Sequence, residues 1–211
     1  MDWQRWHEDY EQPGSALTQR LIAVQEQVRA ALDRAPAGEV PVISLCAGQG
    51  RDLLDVAADH PRRADLRARL VELDPGLSAF ASERARDFGL LDQVEVVTGD
   101  ASLSDQYDGM IPAELVLVCG VFGNITDADI RRTIDACPQL CRTGATVIWT
   151  RHRGEPDRVP SVCEWFEDRG FERVWVSDPD TGFGVGVHRF TGVPEPLVPG
   201  RSLFSFVSGR V

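Results

Sequence analysis

Positive charge, sulfur and long apolar runs are all scarce in this chain. Lys and Arg together number 22 against 33 Asp and Glu, for a formal net charge of -11 over 211 residues. A field of that sign repels phosphate backbones and anionic lipid surfaces, so neither nucleic acid nor membrane is an expected partner. No apolar stretch approaches the ~20 residues of a membrane-spanning helix. The opening segment MDWQRWHEDYEQPGSALTQR lacks the apolar core of a secretory leader. The five cysteines form no C-x-x-C pair and no even-numbered framework, which suits a reducing cytoplasm. No metal is expected, because no cluster of Asp, Glu and His lies where strands should end. Cys137 and Cys141 share a helix face but lack the further ligands of a zinc site. Repeats and low-complexity tracts are missing too. What remains is 43% apolar and 26% charged, an ordinary globular composition long enough for one domain.

What is present is a change of period. Between residues 15 and 35, Leu17, Leu21, Val24, Val28 and Leu32 recur on one helical face, with Ser15 as N-cap and Pro36 and Gly38 as stop. Beyond Gly38, short apolar runs alternate with helical stretches. Strands are expected over 40–45, 70–73, 94–97, 115–119 and 145–149, and helices over 53–59, 77–88 and 127–140, the last capped by Thr126. A short helix over 161–169 and two strands over 171–176 and 185–190 complete the pattern. Strands separated by helices imply right-handed crossovers and a mainly parallel sheet covered on both faces. The link between the last two strands is too short for a crossover, so the final strand should run antiparallel. The expected fold is α/β, with a seven-stranded, mostly parallel sheet, helices on both faces and an N-terminal helical extension. Within this single domain, residues 1–38 form an aromatic arm and helix acting as a lid, 39–192 the core and 193–211 a C-terminal tail. The alternating run Leu203-Phe204-Ser205-Phe206-Val207 is expected on a sheet edge or in a subunit contact, of a monomer or a homodimer.

Three strand ends carry chemistry. The first runs into Cys46-Ala47-Gly48-Gln49-Gly50-Arg51-Asp52, where two glycines permit a tight turn close to a ligand and the next helix aims its amides at it. Ligands of open α/β sheets bind outside the carboxyl ends of the strands. The dinucleotide fingerprint fits poorly, since Leu53 stands where its third glycine belongs. Glu72, with Leu73 beside it, follows the loop by about twenty residues, the spacing of a carboxylate that accepts from both ribose hydroxyls. Asp74 is the near alternative. Asp100, after the third strand, can accept from an exocyclic amine while the amide of Ala101 reaches a ring nitrogen.

In order and spacing, VISLCAGQGRD, LVELDP, VVTGDAS and ELVLVCGVFGN resemble the first four motifs of the class I S-adenosylmethionine-dependent methyltransferases. The later segments GVFGNITDADI, VIWTRHR and VGVHRF resemble a bacterial subgroup of that family with small or undefined substrates. The resemblance implies a Rossmann-like sheet, S-adenosyl-L-methionine at the strand ends, S-adenosyl-L-homocysteine as product, and methyl transfer. On it, Cys46, Ala47 and Gly48 line the methionine part, Glu72 holds the ribose, Asp100 and Ala101 hold the adenine, and Cys119 and Gly120 pass under the sulfonium. The chain departs from the family at Ser44, where an acid is usual, and at Cys46, where glycine is usual. Ser44 leaves the amino-acid end of the cofactor to Arg20, Asp52 or the N-terminal segment.

Two segments can build the acceptor pocket for a small-molecule O or N nucleophile. One is Trp3-x-x-Trp6-His7-x-x-Tyr10, where the aromatics can close over the site and His7 and Tyr10 can donate or act as base. The other is Thr150-Arg151-His152-Arg153. His152 is the first choice of base, its ordinary pKa being near ~6.5, and Arg151 and Arg153 can pair with an anionic substrate. Phe122 and Asn124 can reach the adenine face or the acceptor. The alternatives are a nucleotide-dependent oxidoreductase of related fold and a non-catalytic, cofactor-binding partner subunit. His188 reads as a sheet residue.

Overall fold

In the computed structural model, which describes residues 14–207, helix and strand alternate. The order is α1 (Ala16–Arg34), β1 (Val40–Leu45), α2 (Arg51–Ala57), β2 (Leu66–Glu72), α3 (Pro75–Asp87), β3 (Val94–Thr98) and β4 (Ala113–Val118). Then come α4 (Asp127–Leu140), β5 (Cys141–His152), α5 (Val159–Asp168), β6 (Phe171–Val176) and β7 (Phe183–Phe190). The strands form one sheet in the order β3-β2-β1-β4-β5-β7-β6. β1 pairs parallel with β2 and β4, and the parallel ladder continues to β3 on one side and β5 on the other. β7 runs antiparallel to both β5 and β6, as the short connection requires. The strand order reverses between β1 and β4, with β2 and β3 added on one side and β4 and β5 on the other, and this switch point opens the crevice where a ligand of such a sheet sits.

The helix ends follow from local chemistry. The Ser15 hydroxyl accepts from the Thr18 amide at 3.1 Å and starts α1. The Asp74 carboxylate accepts from the amides of Gly76 (2.7 Å) and Leu77 (3.0 Å), with Pro75 at the first turn of α3. Thr126 caps α4 through the amide of Asp129 at 3.1 Å. Two strands outrun their apolar stretches. β2 begins at Leu66 because Arg67 and Arg69 occupy the less buried positions of its pleat, and Arg69 meets Glu95 of β3 at 2.7 Å. β5 extends in both directions, since ladder hydrogen bonds ignore the polar side chains that end an apolar run.

The pleat sends alternate residues to two cores. Ile43, Leu45, Val116 and Val118 face α4 and α5, together with Trp149 and Phe166. Val42, Leu115 and Leu117 face the side of α1 and α2, against Val28, Leu32 and Leu54. At the first core, the Trp149 ring lies 5.9 Å from Phe122, 6.2 Å from Phe166 and 6.1 Å from His188. Gly186 faces it across the β5–β7 ladder, where an added Cβ would come within 2.3 Å of the indole, so only glycine lets this ring lie flat on the sheet.

The tail takes neither a sheet edge nor a free surface. It crosses α4 and reaches the loops after β3 and β4. Leu203 and Phe204 are buried, the Leu203 amide donates to Ser102 O at 2.7 Å, and the Thr133 hydroxyl donates to Leu203 O at 3.1 Å. Beyond them Phe206 bridges to Ile125, and the Val207 amide donates to Asn124 O at 3.0 Å.

Candidate functional site

The carboxyl ends of β1, β2, β4 and β5 surround a cavity of about 570 Å³, inside the range of small-molecule sites. β1 delivers Cys46, Ala47 and Gly48 to its wall. Cys46 holds a left-handed φ of +52°, a conformation glycine adopts without strain. The backbone shape of the loop is therefore kept at the position where the sequence departs from glycine. Burial, then the charges of Glu72 and Asp100, push the Cys46 thiol far above its ordinary range, so it stands as a neutral thiol. Gly50 differs from expectation. It is buried beneath the loop, and an added Cβ would lie 2.8 Å from Leu54 Cδ1 and Leu70 Cδ2. Its glycine serves the close packing of α2 on β2, and it is not among the residues of the cavity wall.

Glu72 closes the end of β2. Its Oε2 accepts from the Gly48 amide at 2.7 Å and its Oε1 from the Asp74 amide at 2.9 Å. The carboxylate is buried, lines the cavity, and ties the β1 loop to the β2 turn. An ionised carboxylate offers about four acceptor positions, so each oxygen retains one after these bonds. Leu73 follows with 63% of its surface exposed on the cavity rim, an apolar platform that the fold leaves uncovered among described residues.

Asp52, at the start of α2, hydrogen-bonds with Cys119 of the β4 end, and Arg20 of α1 places its charge near the same thiol. Burial raises the Cys119 thiol well above its usual range, the Asp52 carboxylate adds to this by charge and hydrogen bond, and the Arg20 guanidinium opposes it. All three residues line the cavity. Ser44 is buried and does not. Gly120 turns at φ +76°, its amide donating to Thr150 Oγ1 and its carbonyl accepting from Asn124 Nδ2, both at 2.8 Å. This locks the β4 end to the β5 end.

Besides Gly50, four expected residues sit away from the cavity wall. Phe122 is fully buried among Trp149 and Phe166, so its ring is core and only its backbone serves the site, through a carbonyl that accepts from Arg151. Asp100 is exposed beside the cavity, where its carboxylate accepts from the Ser102 amide at 2.9 Å. Ala101 is buried and its carbonyl accepts from the Tyr107 hydroxyl at 2.6 Å. Arg153 is committed to Asp157 (2.7 Å), Ser177 O (2.9 Å) and Phe183 O (3.2 Å), which makes it a clamp between the end of β5 and the β6–β7 connection. Arg151 and His152 do line the cavity. His152 Nδ1 accepts from the Gly154 amide at 3.1 Å, so the neutral ring carries its proton on Nε2 and acts there as a donor. His7 and Tyr10, with Trp3 and Trp6, lie outside the described residues. His188 is a buried sheet residue. Gly123 and Phe206 also line the cavity, and no local pattern in the sequence marks either. Among the described residues, no three His, Cys, Asp or Glu side chains gather as metal ligands would.

No protein-family model and no curated protein matches this chain. Solved structures do. Magnesium protoporphyrin IX methyltransferase from Synechocystis PCC 6803, with bound SAM, is similar at a TM-score of 0.67 and 14% identity, over 90% of this chain and 91% of that one. An O-methyltransferase family protein from Burkholderia thailandensis is similar at a TM-score of 0.66 and 16% identity, over 83% of this chain. The match spans 56% of that protein's length. The [4+2]-cyclase SpnF is similar at a TM-score of 0.56 and 15% identity, over 79% of this chain and 81% of that one. The Rossmann-like fold of the class I S-adenosylmethionine-dependent methyltransferases is thus the fold of this chain.

Proposed function

We propose that this chain binds S-adenosyl-L-methionine in the cavity and transfers its methyl group to an O or N nucleophile of a small molecule. The observation that carries this reading is Glu72, a buried carboxylate at a strand end that faces the cavity with acceptor capacity to spare and is fixed by a backbone amide of the β1 loop. That pair of acceptor oxygens fits a ribose, whose two hydroxyls both need acceptors. Leu73 offers its exposed side chain to the adenine, and Arg20 and Asp52, which both line the cavity, match the opposite charges of the amino-acid end. The cofactor supplies a methyl group activated on a sulfonium. The chain's own work is to orient the acceptor against it and exclude water.

Arg151 and His152 stand at the β4–β5 side of the cavity, while Glu72 and Asp74 stand at the β2 side. In a chain of charge -11, that asymmetry favours an acceptor with an anionic group. The acidic balance disfavours nucleic acid, and the cytoplasm is the compartment that suits five unpaired cysteines. Among the described residues, no helix is long and apolar enough to cross a membrane.

Titration calorimetry tests the reading. S-adenosylhomocysteine is expected to bind at one site per chain, and NADH is expected not to. Binding of NADH in place of S-adenosylhomocysteine overturns it. A second expectation concerns His152. Because its Nε2 is the protonated nitrogen, it serves as a hydrogen-bond donor to the acceptor. Turnover should fall roughly 10–100-fold in His152→Ala, the scale of one lost polar contact, with S-adenosylhomocysteine affinity kept. His152→Gln, which restores an N–H donor, should recover most of the loss. If Gln behaves as Ala and turnover of the wild type falls on acidification along a limb that both variants lack, the ring is a base after all.

A further inference from the structure

We infer that the C-terminal strap is the selectivity wall of the acceptor pocket, and that Phe206 selects a planar aromatic acid as acceptor. This deepens the methyltransferase reading and rests on it. Phe206 comes from the far end of the chain, after the sheet is complete, yet it lines the same cavity as Glu72 and Arg151. Its placement is built. Ser104 accepts from the Arg201 amide at 3.0 Å and donates to Val198 O at 2.8 Å, which pins the strap to the loop after β3. Leu203 and Phe204 are buried against the core behind it. The pairing of Phe206 with Ile125, and of Val207 with Asn124, pins the strap's end to the loop after β4.

A half-buried phenyl ring on a cavity wall is an unsatisfied apolar surface. Phe204 holds it edge-on at 5.5 Å and 76°, which fixes the ring plane. The loop it pairs with begins at Gly120, where an added Cβ would meet nothing within 4 Å, so the β4 side of the pocket stays low there, while Gly123 lets the His152 ring pack close against the same loop. Arg151 and His152 follow on the β5 side. A ring-shaped acceptor lying on Phe206, with its anionic group toward that basic side, uses all of these features. A fixed aromatic edge rewards a planar partner over an aliphatic one of equal size.

The probes are 2-naphthoate and its saturated counterpart of equal carbon count, decahydronaphthalene-2-carboxylate, titrated into the full chain saturated with S-adenosylhomocysteine. The wild type is expected to bind the naphthoate about tenfold more tightly than the aliphatic acid, and Phe206→Leu to erase that preference while changing S-adenosylhomocysteine affinity less than about twofold. Phe206→Trp, which keeps a planar wall, should retain it and serves as the second variant if the leucine form does not fold. Equal binding of the two acids by the wild type overturns the inference, as does a preference that survives in Phe206→Leu or a parallel loss of S-adenosylhomocysteine affinity. Failure of the wild type to bind S-adenosylhomocysteine removes the cofactor reading and this inference together. Uptake of S-adenosylhomocysteine without a naphthoate preference removes this inference alone.

Discussion

Acidification from pH 6.5 to about 3 is expected to remove roughly 4–5 kcal/mol of folding stability through one residue, His188. The ring is fully buried, stacked on Phe166 at 4.7 Å, and its Nδ1 accepts from Trp149 Nε1 at 3.1 Å. In that neutral form Nε2 carries the proton and has no partner. A second proton has to go on Nδ1, breaking the Trp149 bond and placing a cation among aromatic rings. Burial, with the Arg173 charge adding to it, accordingly lowers the pKa from 6.5 to about 3. The sign follows. The unfolded chain takes up a proton below pH 6.5 and the folded chain does not until about pH 3, so the contribution is complete above 6.5 and lost between those values. Glu114 works in the opposite direction, because burial raises its carboxyl above the ordinary value against the Arg142 charge. The comparison to make is therefore urea unfolding of wild type and His188→Phe across pH 3.5–7. The phenyl ring can fill the stack but leaves Trp149 Nε1 without its acceptor, so the variant starts about 1–3 kcal/mol lower at neutral pH and then loses less on acidification. Parallel curves for the two proteins refute the assignment.

The centre of the sheet was legible because β1 and β4 are covered on both faces and read as nearly continuous apolar runs. β1, β6 and α4 have the bounds expected of them. The reversed β7 followed from the length of one loop. Glu72 was legible for a different reason, since its distance from the glycine loop is set by the span of one β–α–β unit. The residues that escaped have no local signature. Phe122 and Cys119 sit in the same apolar segment, and only the turn at Gly120 sends one ring into the core and leaves the other side chain at the cavity. Arg153 and Arg151 are two positions apart, yet the first is captured by Asp157 and by carbonyls of residues 177 and 183 at the two ends of the β6–β7 connection, partners no window of sequence unites. Phe206 needs a tail of more than a dozen residues folded back across α4 before it becomes a site residue at all.

Loss of the Glu72 carboxylate is expected to cost S-adenosylhomocysteine binding about 3 kcal/mol or more, over roughly 100-fold in affinity, since two hydrogen bonds to a charged acceptor disappear at once. The choice of substitution sharpens this. Glu72→Ala removes the ribose acceptors and the anchor of Gly48 together. Glu72→Gln keeps the shape but offers one acceptor oxygen where two backbone amides, those of Gly48 and Asp74, now donate to two oxygens. Its NH2 group must then face one of those amides, so the glutamine loses most of what the alanine loses. Asp74 supplies the contrast. It is also acidic and on the cavity wall, but its Oδ1 already caps α3 through Gly76 and Leu77. Asn can make the same cap, so Asp74→Asn should leave affinity within about threefold. Calorimetry on the three variants separates the two carboxylates. A collapse of binding in Asp74→Asn with Glu72→Gln unaffected moves the ribose to Asp74, and retention of binding in all three removes the nucleoside from this end of the sheet.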